Sequence, residues 1–285
     1  MHILMILIAL AIAGGIRLAT PYLTEQREAH WWQSLFLFLF PPLLLLMTAV
    51  AVVWMGYRGE MLGWQASWFG YLLAIAFLGW ASLLLLKQGY QVWQAARQIC
   101  TYPQQVVEGK VARILETPFP YSAQIGFWQP ELALSQGLLV LLDRPHLQAV
   151  LAHEQAHADC RDTFWFFWLG WLRTLTSWLP KTQLLWQELL LLRELRADRR
   201  AATQIDALLL AESLLLVIQT LSQSPLPNFS ESFCAALSDT LPCPRLTERI
   251  EALLAEPAPA PSFSWWRWSW LFLALLPLIT VPFHD

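Results

Sequence analysis

Two short patterns hold the residues best suited to chemistry. His153-Glu154-Gln155-Ala156-His157 is an HExxH pattern. On a helix, positions four apart share a face, so both imidazoles can reach one metal ion. Glu154 stands beside that pair, where a carboxylate can take a proton from metal-bound water. A catalytic zinc usually has three protein ligands and keeps a fourth position for water. The third ligand is expected in Glu194-Leu195-Arg196-Ala197-Asp198, where Glu194 and Asp198 are again four apart. Glu194 would bind the metal. Asp198 would accept a hydrogen bond from the outer nitrogen of a ligand histidine and fix its tautomer. The competing reading is a solvated charged face, because Arg193, Arg196, Arg199 and Arg200 crowd the same region. Asp159, Cys160 and Asp162 follow the first motif closely and are expected to cap or flank the helix end. An HExxHxxGxxH site is excluded, since Cys160 and Thr163 hold the positions of its glycine and last histidine. His2, His30, His146 and His284 are isolated and read as surface or interfacial residues. The chemistry implied is peptide hydrolysis at one zinc ion per chain.

The elements that must place these groups are partly legible. Asp143-Arg144-Pro145 predicts a helix start, with proline in the first turn. The helix through Leu147, Val150 and Leu151 then presents His153 and His157. Upstream, Val106 to Leu115 and Ser122 to Phe127 read as strands punctuated by Pro118, Pro120 and Pro130, with a third at Glu131 to Leu134. A strand just before the metal helix can pair with an extended substrate along its free edge. Ile125, Gly126 and Phe127 are the expected edge. Helices follow at Gln183 to Thr203 and Ile205 to Ser222. A looser stretch runs from Ser224 to Pro244, and a Pro/Ala-rich linker from Glu256 to Pro261.

Composition places this machinery at a membrane. Hydrophobic residues make up 56% and charged residues 14%, with 17 tryptophans; soluble domains carry about 25% charged residues. Apolar runs long enough to span a bilayer cover about 3–19, 31–56 and 61–86, and a last one covers Trp265 to Phe283. Pro41-Pro42 should kink the second. Trp31, Trp32, Trp54, Trp64, Trp265, Trp266 and Trp268 lie near span ends, as interfacial anchors do. The first run lacks a basic leader and is expected to be retained. The expected domains are therefore 1–88 with three spans, a cytosolic region at 89–262, and a final span with a short tail at 263–285. Lys and Arg concentrate in the central region, which puts HExxH on the cytosolic side of the cell membrane. Cys100, Cys160, Cys234 and Cys243 show no CxxC pairing and are expected as thiols. A net charge of -3 with no basic patch gives no reason to expect nucleic-acid binding. The sequence carries no signal for oligomeric state.

The segment 164–180 is apolar and tryptophan-rich, with Arg173 inside it. Only 36 residues separate His157 from Glu194, and two full crossings need about 40 plus a turn. A short hairpin dipping into the bilayer, or an amphipathic helix on its surface, is expected, with a buried helix of the cytosolic region as the alternative. Arg173 would snorkel or pair within the hairpin.

Several of these phrases together are familiar. His153-Glu154-x-x-His157, Glu194-x-x-x-Asp198, Ile125-Gly126-Phe127-Trp128-Gln129-Pro130, the pre-helix Leu147 to Ala152 and Arg245-Leu246-x-x-Arg249-Ile250 resemble the BlaR/MecR-type membrane metallopeptidases, an antirepressor family of gluzincin-like zinc proteases. The resemblance spans roughly residues 100 to 255. It implies a mainly α, multi-pass membrane protein whose transmembrane helices carry a cytosolic gluzincin-like zinc-protease domain with a small β-sheet. It further implies zinc at His153, His157 and Glu194, Glu154 as general base, and a cytosolic protein substrate such as a transcriptional repressor. No SxxK-type acylation module follows Phe283, so β-lactam sensing is not expected. The HtpX and CAAX-protease group shares the two motifs and implies quality control instead. A zinc-containing scaffold without hydrolysis is the third reading, and Glu154 argues against it.

Overall fold

The computed structural model describes residues 1–19, 30–58, 60–61, 64–65, 68–223, 245–255 and 269–283. The elements in chain order are α1 (His2–Leu18), α2 (His30–Met55), the two-residue strands β1 (Glu60–Met61) and β2 (Trp64–Gln65), and α3 (Trp68–Ile99). Four strands follow: β3 (Gln104–Val107), β4 (Lys110–Leu115), β5 (Ser122–Ile125) and β6 (Glu131–Ser135). Then come α4 (Gln136–Leu141), α5 (Arg144–Asp159), α6 (Asp162–Leu175), α7 (Thr182–Ala202) and α8 (Ala207–Gln223). The last described elements are α9 (Leu246–Leu254), α10 (Trp270–Leu273), α11 (Leu276–Ile279) and a 3-10 turn at Val281–Phe283. The looser stretch at Ser224 to Pro244, the Glu256 to Pro261 linker, the anchors Trp265, Trp266 and Trp268, and the tail His284-Asp285 lie outside the described residues.

The chain divides into two compact units. One comprises Met1–Lys87, Leu169–Leu189 and Pro259–Asp285, and the other Gln88–Trp168 and Leu190–Ala258. In the first unit α1 packs on α2 through Ala9 and Ala13, which lie on one face and let Phe40, Leu44 and Leu45 approach. Pro41 and Pro42 sit inside α2, and the helix continues through both. A proline lacks the N–H that would reach the carbonyl four residues back. For Pro42 that carbonyl belongs to Phe38, and the buried guanidinium of Arg17 donates to it at 3.3 Å. Arg17 thus supplies a donor that the prolines remove.

Residues Trp31–Met55 and Trp68–Ile99 form helices long and apolar enough to cross a membrane. The second leaves Trp68, Phe69, Leu72, Leu73, Trp80 and Leu83 exposed, an apolar face with no protein cover among the described residues. The expected third span began at Met61, but Glu60–Met61 and Trp64–Gln65 pair antiparallel and α3 starts at Trp68. The expected last span is not one helix in its described part. It is α10, then α11 with proline in its first turn, then the 3-10 turn. Pro277 suits a first turn and cannot continue a helix from behind.

The apolar segment 164–180 becomes the body of α6 and a turn into α7. Thr182 Oγ1 closes that turn, donating to the carbonyls of Thr176 at 2.9 Å and Leu179 at 3.0 Å. Within it Arg173 donates to Gln183 Oε1 at 3.2 Å and lies over the Trp186 ring at 4.9 Å. The 14 residues of α6 rise about 21 Å at ~1.5 Å each, less than the ~30 Å hydrocarbon core.

In the second unit the sheet order is β3-β4-β6-β5. The stretch expected as one strand from Val106 to Leu115 is a hairpin, β3 against β4. Its turn needs Glu108 and Gly109, whose φ values are 48° and 80°, the two positive angles of a tight hairpin turn. β6 runs parallel to β4 and antiparallel to β5, leaving β5 as an outer edge. α5 covers the sheet. Leu147, Val150 and Leu151 join Ala112, Ile114, Leu132 and Leu134 in one core. On its other side Ala149 and Ala152 meet Ala201, Leu210, Ala211 and Leu253, small residues that let three helices close in. His153 and His157 fall between these two packed faces.

Candidate metal centre

α5 begins at a side-chain cap, where Asp143 Oδ1 accepts from the His146 backbone N–H at 3.1 Å. It ends at Cys160, and Arg161 at φ 52° turns the chain straight into α6. Both motif histidines are therefore on continuous helix, and the first residue of α6, Asp162, folds back beside them. α7 brings Glu194 and Asp198 to the same place.

The ring nitrogens Nε2 of His153 and His157 are 3.0 Å apart. Glu194 Oε2 is 3.4 Å from the first and its Oε1 3.6 Å from the second. Each ring turns its other nitrogen to a carboxylate: His153 Nδ1 lies 2.8 Å from Asp198 Oδ1, and His157 Nδ1 lies 2.7 Å from Asp162 Oδ2. With a proton on each Nδ1, both Nε2 lone pairs point at one another, an arrangement that repels unless a proton or a metal cation lies between them. Donors held about 2.0–2.2 Å from a tetrahedral ion stand about 3.3 Å apart, which these three separations match. His153, His157 and Glu194 therefore fit a metal ion and could hold it.

The surroundings set the charges. Arg249 of α9 donates to Asp198 through Nε and a terminal nitrogen, both at 2.7 Å, and its other terminal nitrogen lies 3.2 Å from Glu194. Arg193 is 2.9 Å from Glu194. Burial would raise the Glu194 carboxyl, but Arg193, His157 and Arg249 hold it well below the usual carboxylate range. Asp198 is lowered likewise, Arg249 and His153 outweighing burial. Burial would lower the imidazoles, yet Asp198 and Glu194 raise His153 to about 10, and Glu194 and Asp162 raise His157. Any proton held on either Nε2 must leave when a metal binds there, so metal binding is coupled to proton release.

Glu154 is buried and directed by the sheet. Its Oε1 accepts from Ser122 Oγ at 2.7 Å, and its backbone carbonyl accepts from Gln124 Nε2 at 3.3 Å. The outer strand ends earlier than expected. The outer strand is Ser122–Ile125, with Ile125 paired to Glu131. Gly126 leaves it at φ +135°, where a Cβ would meet the Gln129 carbonyl at 3.0 Å. Phe127 turns away to pack on Phe164 and Phe167, at 5.1 and 4.8 Å between ring centres. The edge therefore lies two to three residues earlier than pattern alone implies.

Sequence reasoning missed three contributors. Asp162 was expected only to flank the helix end. Arg249 appeared within a familiar phrase but with no role, and Ser122 only as a strand residue. None has a periodic relation to the motif it serves, because each arrives by a turn or a separate element. Among the described residues Cys100 and Cys160 are free thiols.

No curated protein and no solved structure matches the chain. Residues 110–227 match the model of peptidase family M48, a stretch that runs from β4 through α8 and includes all three candidate ligands. That match supports a metallopeptidase without selecting the BlaR/MecR type, and residues 110–227 are similar to peptidase family M48.

Proposed function

We propose that the chain is a membrane-bound zinc endopeptidase acting on a cytosolic or membrane-proximal protein. The observation that carries this reading is the meeting of His153, His157 and Glu194 donor atoms, within 4.8 Å of one another, beside a carboxylate fixed by Ser122. Imidazole and carboxylate donors in threes suit a catalytic zinc with one position left for water. When bound, the ion lowers the pKa of its water and polarises the peptide carbonyl. Glu154 would accept the water proton as the water oxygen adds to the carbonyl carbon, and would pass it to the amine nitrogen as the C–N bond breaks. Ser122 occupies Glu154 Oε1, which leaves Oε2 for that transfer. The substrate is proposed to lie extended along the open edge of β5, its backbone paired to Ser122–Ile125.

The membrane location rests on the two long apolar helices. The cytosolic side rests on the excess of Lys and Arg after Lys87. A transcriptional repressor is the substrate that the BlaR/MecR resemblance favours. The match to family M48, which selects no antirepressor type, keeps quality control of membrane proteins as the second reading. Proteomics of cells carrying active protein against Glu154→Gln separates them: one stabilised repressor supports the first, many damaged membrane proteins the second.

The decisive experiment uses the purified full-length chain. Glu154→Gln should retain zinc, while cleavage of unfolded casein falls on the order of 10²–10⁴-fold. Cleavage at the wild-type rate would remove Glu154 from the mechanism.

A further inference from the structure

Each candidate histidine ligand faces a carboxylate from a different part of the chain: His157 Nδ1 is hydrogen-bonded to Asp162, and His153 Nδ1 lies 2.8 Å from Asp198 outside hydrogen-bond geometry. Behind His153 stand Asp198 of α7 and Arg249 of α9. Behind His157 stand Asp162 of α6 and Arg196 of α7, whose guanidinium donates to Asp162 Oδ1 while Oδ2 faces the ring. The Asp162 side chain is 4% exposed and that of Asp198 2%. A carboxylate buried this deeply is costly unless it is paired and hydrogen-bonded. Each has both requirements met, one oxygen turned to an imidazole and the group held by an arginine.

Asp162 reaches this position only because Arg161 adopts a left-handed backbone at φ 52°. That single residue ends α5 and starts α6 without a longer loop. Helical periodicity from His157 would have carried the next turn past the ring.

We propose that Asp162 is a positioning residue for His157, matching Asp198 for His153, and that Arg196 and Arg249 hold the two carboxylates in place. The inference rests on the zinc-peptidase reading above. Nδ1–H is kept toward the carboxylate, which leaves the Nε2 lone pair for the cation. Asparagine at 162 can turn its amide and donate instead, favouring the tautomer whose Nε2 carries the proton. α7 would then serve the site three times, through Glu194 as ligand and through Arg196 and Asp198 as supports.

The test uses the full-length protein in detergent, with zinc affinity from chelator competition and the visible absorption of bound cobalt(II). Asp162→Asn is expected to weaken zinc about 10–100-fold and to alter the cobalt bands, and Asp198→Asn is expected to do the same. Thermal unfolding of the chelated variant should stay near that of the chelated wild type. Combining both substitutions should multiply the two losses, because the arms meet only at the ion. Zinc affinity and cobalt spectrum unchanged in Asp162→Asn would overturn the proposal. Should that variant fail to fold, Arg196→Gln carries the test, its side chain being 40% exposed; it should weaken zinc several-fold, and wild-type affinity would overturn the assignment. A wild-type chain that binds no zinc would sink the peptidase reading itself.

Discussion

Ser122 is the least conspicuous residue beside the candidate centre, yet it alone among the described residues is seen to fix the Glu154 side chain. A carboxylate with two free oxygens samples several rotamers; one held at 2.7 Å presents a single oxygen. Replacing Ser122 with Ala should cost about 0.5–1.5 kcal/mol of transition-state stabilisation, a fall of roughly two- to tenfold in kcat/KM. Zinc content should not change, because Ser122 touches no candidate ligand. Steady-state kinetics with elemental analysis checks both halves; an unchanged rate would mean that Glu154 needs no such support. At this scale the sequence is legible wherever two groups share one helix. His153 with His157, and Glu194 with Asp198, follow from a spacing of four. Their joining across 36 intervening residues required only the knowledge that a metal needs a third ligand. Asp162 and Arg249 were hidden for a physical reason: one arrives through a left-handed residue, the other from a helix 51 positions from its carboxylate partner.

The α5 element is anchored at a point far from its chemistry. Asp143 accepts from the His146 backbone N–H, and its carboxyl is also bonded to the His146 ring. The ring and backbone bonds of His146 together lower the Asp143 pKa below its ordinary 3.8. A depressed carboxylate contributes stability that is fully present above its unfolded value and is lost as pH falls through the folded one. Asp143→Ala should therefore lower the melting temperature at neutral pH. The gap from wild type should close as pH drops below about 4. Thermal unfolding followed from pH 7 to pH 3 measures it, and a gap that persists in acid would rule out the carboxylate as its source. Elements were readable to the extent that their limits depend on local chemistry. The Asp143-Arg144-Pro145 start is such a case, since cap and proline act within one turn. The β3–β4 hairpin is not, because Glu108 carries no bias toward the positive φ that its turn demands. Gly137 is another: it reads as a poor residue for a helix, yet a Cβ there would lie 2.0 Å from the Pro118 carbonyl. That close approach is a tertiary fact.

For the whole molecule, the proposed membrane location raises the question of which side of the bilayer the candidate metal centre faces. α3 has 32 residues, about 48 Å at ~1.5 Å per residue, well beyond the ~30 Å of hydrocarbon. If α3 crosses the bilayer, as proposed above, one end extends beyond the hydrocarbon, and the charged end is the one after Lys87. Lys87 and Arg97 lie on that end, followed by Lys110 and Arg113, while the helix start at Trp68 to Tyr71 is aromatic and uncharged. Basic residues close to a span stay on the cytosolic side, so Cys100, exposed at the end of α3, should face the cytosol. A chain in which Cys160, Cys234 and Cys243 are replaced by serine keeps Cys100 as its sole thiol. A membrane-impermeant maleimide should leave it unlabelled in intact cells and label it once the membrane is permeabilised. Labelling in intact cells would place the candidate metal centre outside, where no cytosolic repressor could reach it. The peptidase chemistry would survive that result, since His153, His157 and Glu194 would still converge; the choice of substrate would not.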